Sequence, residues 1–229
     1  MSQRPPRRIT PRQFFVDITP LRQSVPFRWL FGGLSLSWMG RQLTVVAVPY
    51  QVFELTGSTF LVGALGLAQL VPLLATSVVG GALVDSVDRR RLLVLAQIAS
   101  LATAAGLAVN ASLDEPIVWL IFALSAINAG FSAIDSPARS ASLPTLVGRQ
   151  LLPASLAITQ TVANVAKTLG PAIGGLLIAQ TSLTLTYSME AVAFLISALL
   201  MFRVGELKPE GGGQRFGWDS IKEGFRFLK

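Results

Sequence analysis

Thr59 to Leu95 reads TFLVGALGLAQLVPLLATSVVGGALVDSVDRRRLLVL. Its first 26 residues, up to Val84, carry no charge. Asp85 to Arg91 then place two carboxylates and three consecutive arginines in seven residues, and a second apolar run opens at Leu92. A helix of 26 residues is about 39 Å long, more than the ~30 Å of a bilayer's hydrocarbon core. In lipid every backbone N–H and C=O must be satisfied within the chain, which a helix does and an open strand does not. The stretch therefore reads as a membrane-crossing helix, a charged turn at the membrane surface, and the start of the next crossing.

The pattern continues along the chain. Apolar runs cover residues 27–53, 59–84, 92–111, 117–134, 156–180 and 183–202, joined by polar breaks such as ELTGS, SLDEP and PARSASLPTLVGRQLLPAS. No sustained alternation of β type interrupts them. The composition agrees, with 52% hydrophobic and 14% charged residues against about 25% charged in a soluble domain. The absence of cysteine and histidine excludes a disulfide framework and any thiolate or imidazole metal site. The first run is too long for a signal peptide and follows a 26-residue basic lead. The fold class expected is all-α, an integral membrane six-helix bundle over residues 27–204, between a basic tail at 1–26 and a linker with an amphipathic segment at 205–229.

Basic residues set the orientation. Arginines precede the first run, Arg89–Arg91 separate the second and third, and Arg139 and Arg149 separate the fourth and fifth. More bases, from Arg203 to Lys229, follow the sixth. The alternate connections hold Glu54, Asp114 and Glu115 and no base. Bases mark the cytoplasmic side, so both termini are expected there, in a multi-pass protein of the cell membrane. The net charge of +7 is then a signature of topology and of contact with the lipid bilayer, and no nucleic-acid partner is expected.

Charges within the runs point to function. Arg41 and Lys167 fall near the middle of the first and fifth, Glu190 in the outer part of the sixth, and Asp135 near the cytoplasmic end of the fourth. A charge at mid-bilayer costs at least ~2.5 kcal/mol and should face a cavity or a partner. Bracing of the bundle by buried pairs is the alternative role. Polar residues recur at helical spacing: Ser37, Arg41, Thr44; Gln69, Thr76, Gly80; Asn128, Ser132, Asp135, Arg139; and Gln160, Asn164, Lys167, Pro171. Each set lies on one stripe of its helix. Arg41, Gln69, Asp135, Gln160, Asn164, Lys167 and Glu190 are the expected cavity and coupling residues. In LGPAIGGLL, Gly170, Gly174 and Gly175 leave a face open to close approach, and Pro171 frees a carbonyl and invites a bend.

The turn GGALVDSVDRRRLL resembles the loop signature of the major facilitator superfamily, with Gly81, Asp85, Arg89 and Arg90 at the matching positions. Ser86 replaces the usual base and Asp88 a common glycine. The segment Gly170–Gly175 is similar to the Gly-Pro motif of helix five in antiporter members. Residues 135–159 resemble the helix four-to-five connection of the drug- and siderophore-exporting, enterobactin exporter-like branch. The resemblance implies the N-terminal half of a twelve-helix fold, with helices one, two, four and five lining a central cavity and helices three and six facing lipid. It also implies that the turn holding Gly81, Asp85, Arg89 and Arg90 is a cytoplasmic latch whose Asp85 meets the opposite half. The four-residue spacing pairs Asp85 with Arg89, and the position of Asp135 makes it a second acid for Arg89 or Arg90.

The function expected is proton-coupled export of a siderophore or amphipathic drug by alternating access, with a small-molecule substrate and a second six-helix half as partners. No cofactor beyond the proton gradient is implied. The alternative is a half-transporter without activity of its own. An enzyme is the weakest reading, because without His or Cys it needs a carboxylate pair, and Asp135 and Glu190 lie at different depths. A nucleotide-driven pump is disfavoured, because no phosphate-binding Gly-x-x-x-x-Gly-Lys stretch is present.

Overall fold

The computed structural model describes residues 17–207, apart from the side chains of Val78, Val79, Gly81, Ala82 and Asp85. Most of the basic lead and of the expected linker thus lie outside the described residues. All regular structure among the described residues is helical: α1 (Thr19–Gln23), α2 (Val25–Thr56), α3 (Thr59–Ser86), α4 (Arg89–Ala111), α5 (Val118–Gln180) and α6 (Leu183–Phe202). Short polar side chains start four of them. Ser24, Ser58, Asp88 and Ser182 accept hydrogen bonds from first-turn N–H groups of α2, α3, α4 and α6, satisfying donors that a helix cannot satisfy itself. Gly57 ends α2 at φ 62°, and its N–H bonds Phe53 O at 2.8 Å.

The polar connection expected around residues 137–155 is helical instead. α5 has 63 residues, about 95 Å of helix, several times a hydrocarbon core. It divides at Gly148, whose φ of 72° and ψ of 167° favour a residue without a β-carbon. The arms, 118–147 and 149–180, make six long helical segments with α2, α3, α4 and α6. Helix persists through Pro137 and Pro144 because Ala138, Ser142 and Leu143 give the segment a buried face. Ala138 and Leu143 pack with Phe27, Leu30, Leu92 and Leu93. Four helices, α3 to α6, are long and apolar enough to cross a membrane. α2, with Arg28 and Arg41 in its 32 residues, is not among them.

Two apolar clusters sit at opposite ends. One gathers Phe27, Leu34, Leu92, Leu93, Ala138, Leu143 and Met201; the other gathers Val48, Val52, Leu65, Leu107, Ile121, Phe122 and Tyr187. Between them along α2, α4, the first arm of α5 and α6 lie Ser37, Gln97, Ser100, Thr103, Ser125, Asp135, Glu190 and Ser197, all buried. A polar layer therefore crosses the bundle at mid-depth. Small residues draw the helices together around it. A β-carbon at Gly40 would lie 3.0 Å from Ala193 Cβ, and one at Gly130 3.2 Å from Thr76 Oγ1. Ser197 donates its hydroxyl from α6 to Gly33 O on α2 at 2.8 Å.

The chain leaving α6 folds back on the charged turn. Leu207 N–H donates to Asp88 Oδ1 at 3.1 Å, and Arg89 N–H donates to Leu207 O at 3.2 Å. Arg90 Nη2 donates to Phe202 O at 2.6 Å. Val204 and Leu207 are buried in the adjoining apolar cluster.

Candidate substrate cavity and buried carboxylate

A cavity of about 380 Å³ opens between α2, α3 and the first arm of α5, with Leu107 of α4 on its wall. Its polar lining includes Arg41, Thr44, Gln69, Asn128 and Ser132. The stripes on three helices thus converge, as their spacing requires. The volume lies within the range of small-molecule sites, and so does the mixture of apolar wall and few polar groups. Ser132 donates its hydroxyl to Asn128 O at 2.7 Å.

Behind this wall is Glu190, fully buried on α6. Thr44 bridges the two: it lines the cavity and donates its hydroxyl to Glu190 Oε2. The other carboxylate oxygen, Oε1, and the Nε of Arg41 are buried without a hydrogen-bond partner. Arg41 interacts electrostatically with Glu190. A buried charge needs a compensating partner, and this guanidinium supplies the charge while one lone-pair site on the acid stays open.

Among the residues expected at the cavity, Arg41 and Gln69 line it. Glu190 stands one hydroxyl away. It faces inward because Thr186, Tyr187, Glu190, Ala193, Phe194 and Ser197 form the buried stripe of α6, so helix six does not simply turn its polar residues to lipid. Asp135 is buried and accepts from Gln97 Nε2 at 3.3 Å, facing α4 rather than the cavity. Its expected pairing with Arg89 or Arg90 is not formed. Arg89 Nη1 bonds Ala141 O at 2.8 Å, and Arg90 reaches Phe202. The side chains of Gly81 and Asp85 lie outside the described residues, although both positions fall within α3.

Gln160, Asn164 and Lys167 lie on an exposed face of the second arm of α5 and do not line this pocket, with Gln160 Nε2 donating to Asn164 Oδ1 at 3.0 Å. A β-carbon at Gly170 would overlap the Gln42 side chain, and one at Gly174 would lie 3.4 Å from Leu43 Cα. These two glycines seat the arm against α2. Gly175 faces open space and Pro171 is half-buried.

Sequence reasoning missed two contacts. Tyr187 donates its buried hydroxyl to Gln51 Oε1 at 2.9 Å, and Arg139 lies 4.7 Å over the Trp38 ring. Ser37, Thr44 and Gln51 recur every seven residues, two helical turns, which was a readable sign that Gln51 continues the α2 stripe.

A polar cavity among apolar helices, with a buried acid and a half-buried base at mid-depth, fits a membrane transport protein. Residues 16–229 match the transmembrane secretion effector family of the major facilitator superfamily, and the chain belongs to that family. Similar curated proteins include the enterobactin exporter EntS of Shigella boydii serotype 4 (strain Sb227) and those of Escherichia coli O1:K1 / APEC and O139:H28 (strain E24377A / ETEC). Each is 31% identical over 221 residues, covering 95% of this chain and 52% of the relative. The chain spans about half the length of these relatives. Its apolar helices and its family make it a multi-pass membrane protein.

Proposed function

We propose that this chain acts as one six-helix half of a proton-coupled exporter, with both termini cytoplasmic, and that the exporter carries a catecholate-type siderophore or a similar amphipathic molecule. The family and the relatives named as enterobactin exporters support the transport class. The match to about half of each relative supports a second half as partner. The observation that carries the mechanism is Thr44, which touches both the cavity and Glu190.

A hydroxyl is one donor and two acceptor sites, and an ionised carboxylate only accepts. While Glu190 is ionised, Thr44 spends its proton on the carboxylate and offers lone pairs to the cavity. When Glu190 takes up a proton, the acid becomes a donor to Thr44, and the Thr44 proton turns toward the cavity. The wall changes from acceptor to donor. A ligand hydroxyl left mainly as a donor, such as a catechol O–H whose oxygen already accepts from its ortho neighbour, is favoured by the first form and disfavoured by the second. Proton and ligand therefore compete, which is the requirement for exchanging one against the other across alternating inward- and outward-facing states.

The test is export of a catecholate siderophore by cells carrying the exporter that contains this chain. Glu190→Gln and Thr44→Val should both lose export driven by the proton gradient while reaching the membrane at normal levels. Normal gradient-driven export by both variants would overturn the reading.

A further inference from the structure

We propose that the groove between α2 and α6 at the arginine-rich end of the bundle is a binding site for one anionic phospholipid. Val25, Arg28, Trp29 and Gly32 are spaced i, i+3, i+4 and i+7 and form one stripe of α2. With Leu200 of α6 they line an open pocket of about 330 Å³. Gly32 keeps its floor low, since a β-carbon there would already lie 3.6 Å from Leu200 Cδ1. Arg203, the first residue after α6, holds its guanidinium 5.0 Å over the Trp29 ring. Arg28 and Arg203 are both exposed. The pocket thus combines an apolar floor, an aromatic wall and two cationic groups.

Its depth fits a headgroup. The pocket lies at the first turns of α2 and the last turn of α6, where apolar helices give way to arginine. Tryptophan is favoured at that interface. Arg22, Arg28, Arg89, Arg90, Arg91 and Arg203 outnumber Asp17, Asp85, Asp88 and Glu206 around the same end, and Asp88 is already committed to the N–H groups of Arg90 and Leu207. Basic pockets between membrane helices recognise anionic headgroups. A free phosphate would use the arginines alone. A lipid also lays an acyl chain along Gly32 and Leu200, and a zwitterionic lipid offers the same chain without the net charge. The site requires that the chain span a bilayer and is independent of what it transports.

The experiment uses the full chain in phosphatidylcholine nanodiscs containing brominated phosphatidylglycerol or, in a parallel set, brominated phosphatidylcholine. Trp38→Phe, Trp119→Phe and Trp218→Phe leave Trp29 as the only tryptophan, excited selectively at the red edge where tyrosine does not absorb. Brominated phosphatidylglycerol should quench Trp29 at a several-fold lower mole fraction than brominated phosphatidylcholine. Arg28→Ala and Arg203→Ala should each reduce the preference about 5-fold, and inorganic phosphate should not compete. Mass spectrometry of the otherwise unmodified chain released from mixed nanodiscs supplies a second readout, with phosphatidylglycerol retained over phosphatidylcholine. Equal quenching by the two lipids, a preference unchanged in the double variant, or displacement by phosphate would overturn the proposal.

Discussion

Thr44 on α2 donates its hydroxyl to the carboxylate of Glu190 on α6 while its side chain also lines the cavity. The bond crosses between two helices that Gly40 brings close, its missing side chain leaving room for Ala193. A polar contact at mid-depth is thus held by an apolar packing detail, and a substitution in either should be felt in the other. Gly40→Leu should disrupt gradient-driven export as strongly as Thr44→Val, although residue 40 bears no polar group. Export measured alongside membrane abundance checks this, and a well-inserted Gly40→Leu protein with normal export would contradict it.

The Asp88 carboxylate joins the start of α4 to the chain leaving α6. Asp88→Ala should raise amide hydrogen exchange across residues 203–207 by about ten-fold or more, the worth of a hydrogen bond to a charged group. Asp88→Ser keeps a good helix cap, but its oxygen sits one bond closer to the backbone. It should expose Leu207 N–H while leaving α4 protected. Unchanged exchange at residues 203–207 in both variants would show that apolar burial of Val204 and Leu207 holds the segment alone.

The two glycines of the α5 second arm that meet α2 should behave unlike their neighbour. Gly170→Ala should lower stability by about 1–3 kcal/mol through overpacking against Gln42, whereas Gly175→Ala, facing open space, should cost nothing. Thermal unfolding of the detergent-solubilised chain separates them. Equal midpoints would mean that Gln42 moves aside freely.

Much of this was legible in the sequence. The uncharged 26 residues before Asp85 gave a helix because lipid permits little else, and the helical spacing of Arg41, Thr44, Gln69, Asn128 and Ser132 gave one cavity wall. What was not legible is helix rotation. The stripe through Asp135 could face the cavity or α4, and only packing decided that Gln97 would be its partner. Lys167 sits mid-run on an exposed face, and the seam made by Gly170 and Gly174 fixes how that arm turns. The helix through Pro137 and Pro144 was hidden by its polar, proline-bearing composition. The helical spacing of Ala138, Ser142 and Leu143, which the structure buries, was the signal for it.

Orientation has its own check. A reporter active only outside the cell, fused after Lys229, should stay silent, because every basic connection falls on one face and bases mark the cytoplasmic side. A strong signal would invert the topology and move the proposed lipid site to the outer leaflet.

The central claim is that ligand and proton compete through Thr44 and Glu190. The most direct measurement is proton release on ligand binding, read with a pH dye in weakly buffered detergent solution of the exporter containing this chain. At a pH where Glu190 is partly protonated, adding a catecholate siderophore should release protons from the unmodified protein and none from Glu190→Gln, with Asp135→Asn behaving as the unmodified protein. Proton uptake on binding, or equal release from Glu190→Gln, would contradict the account.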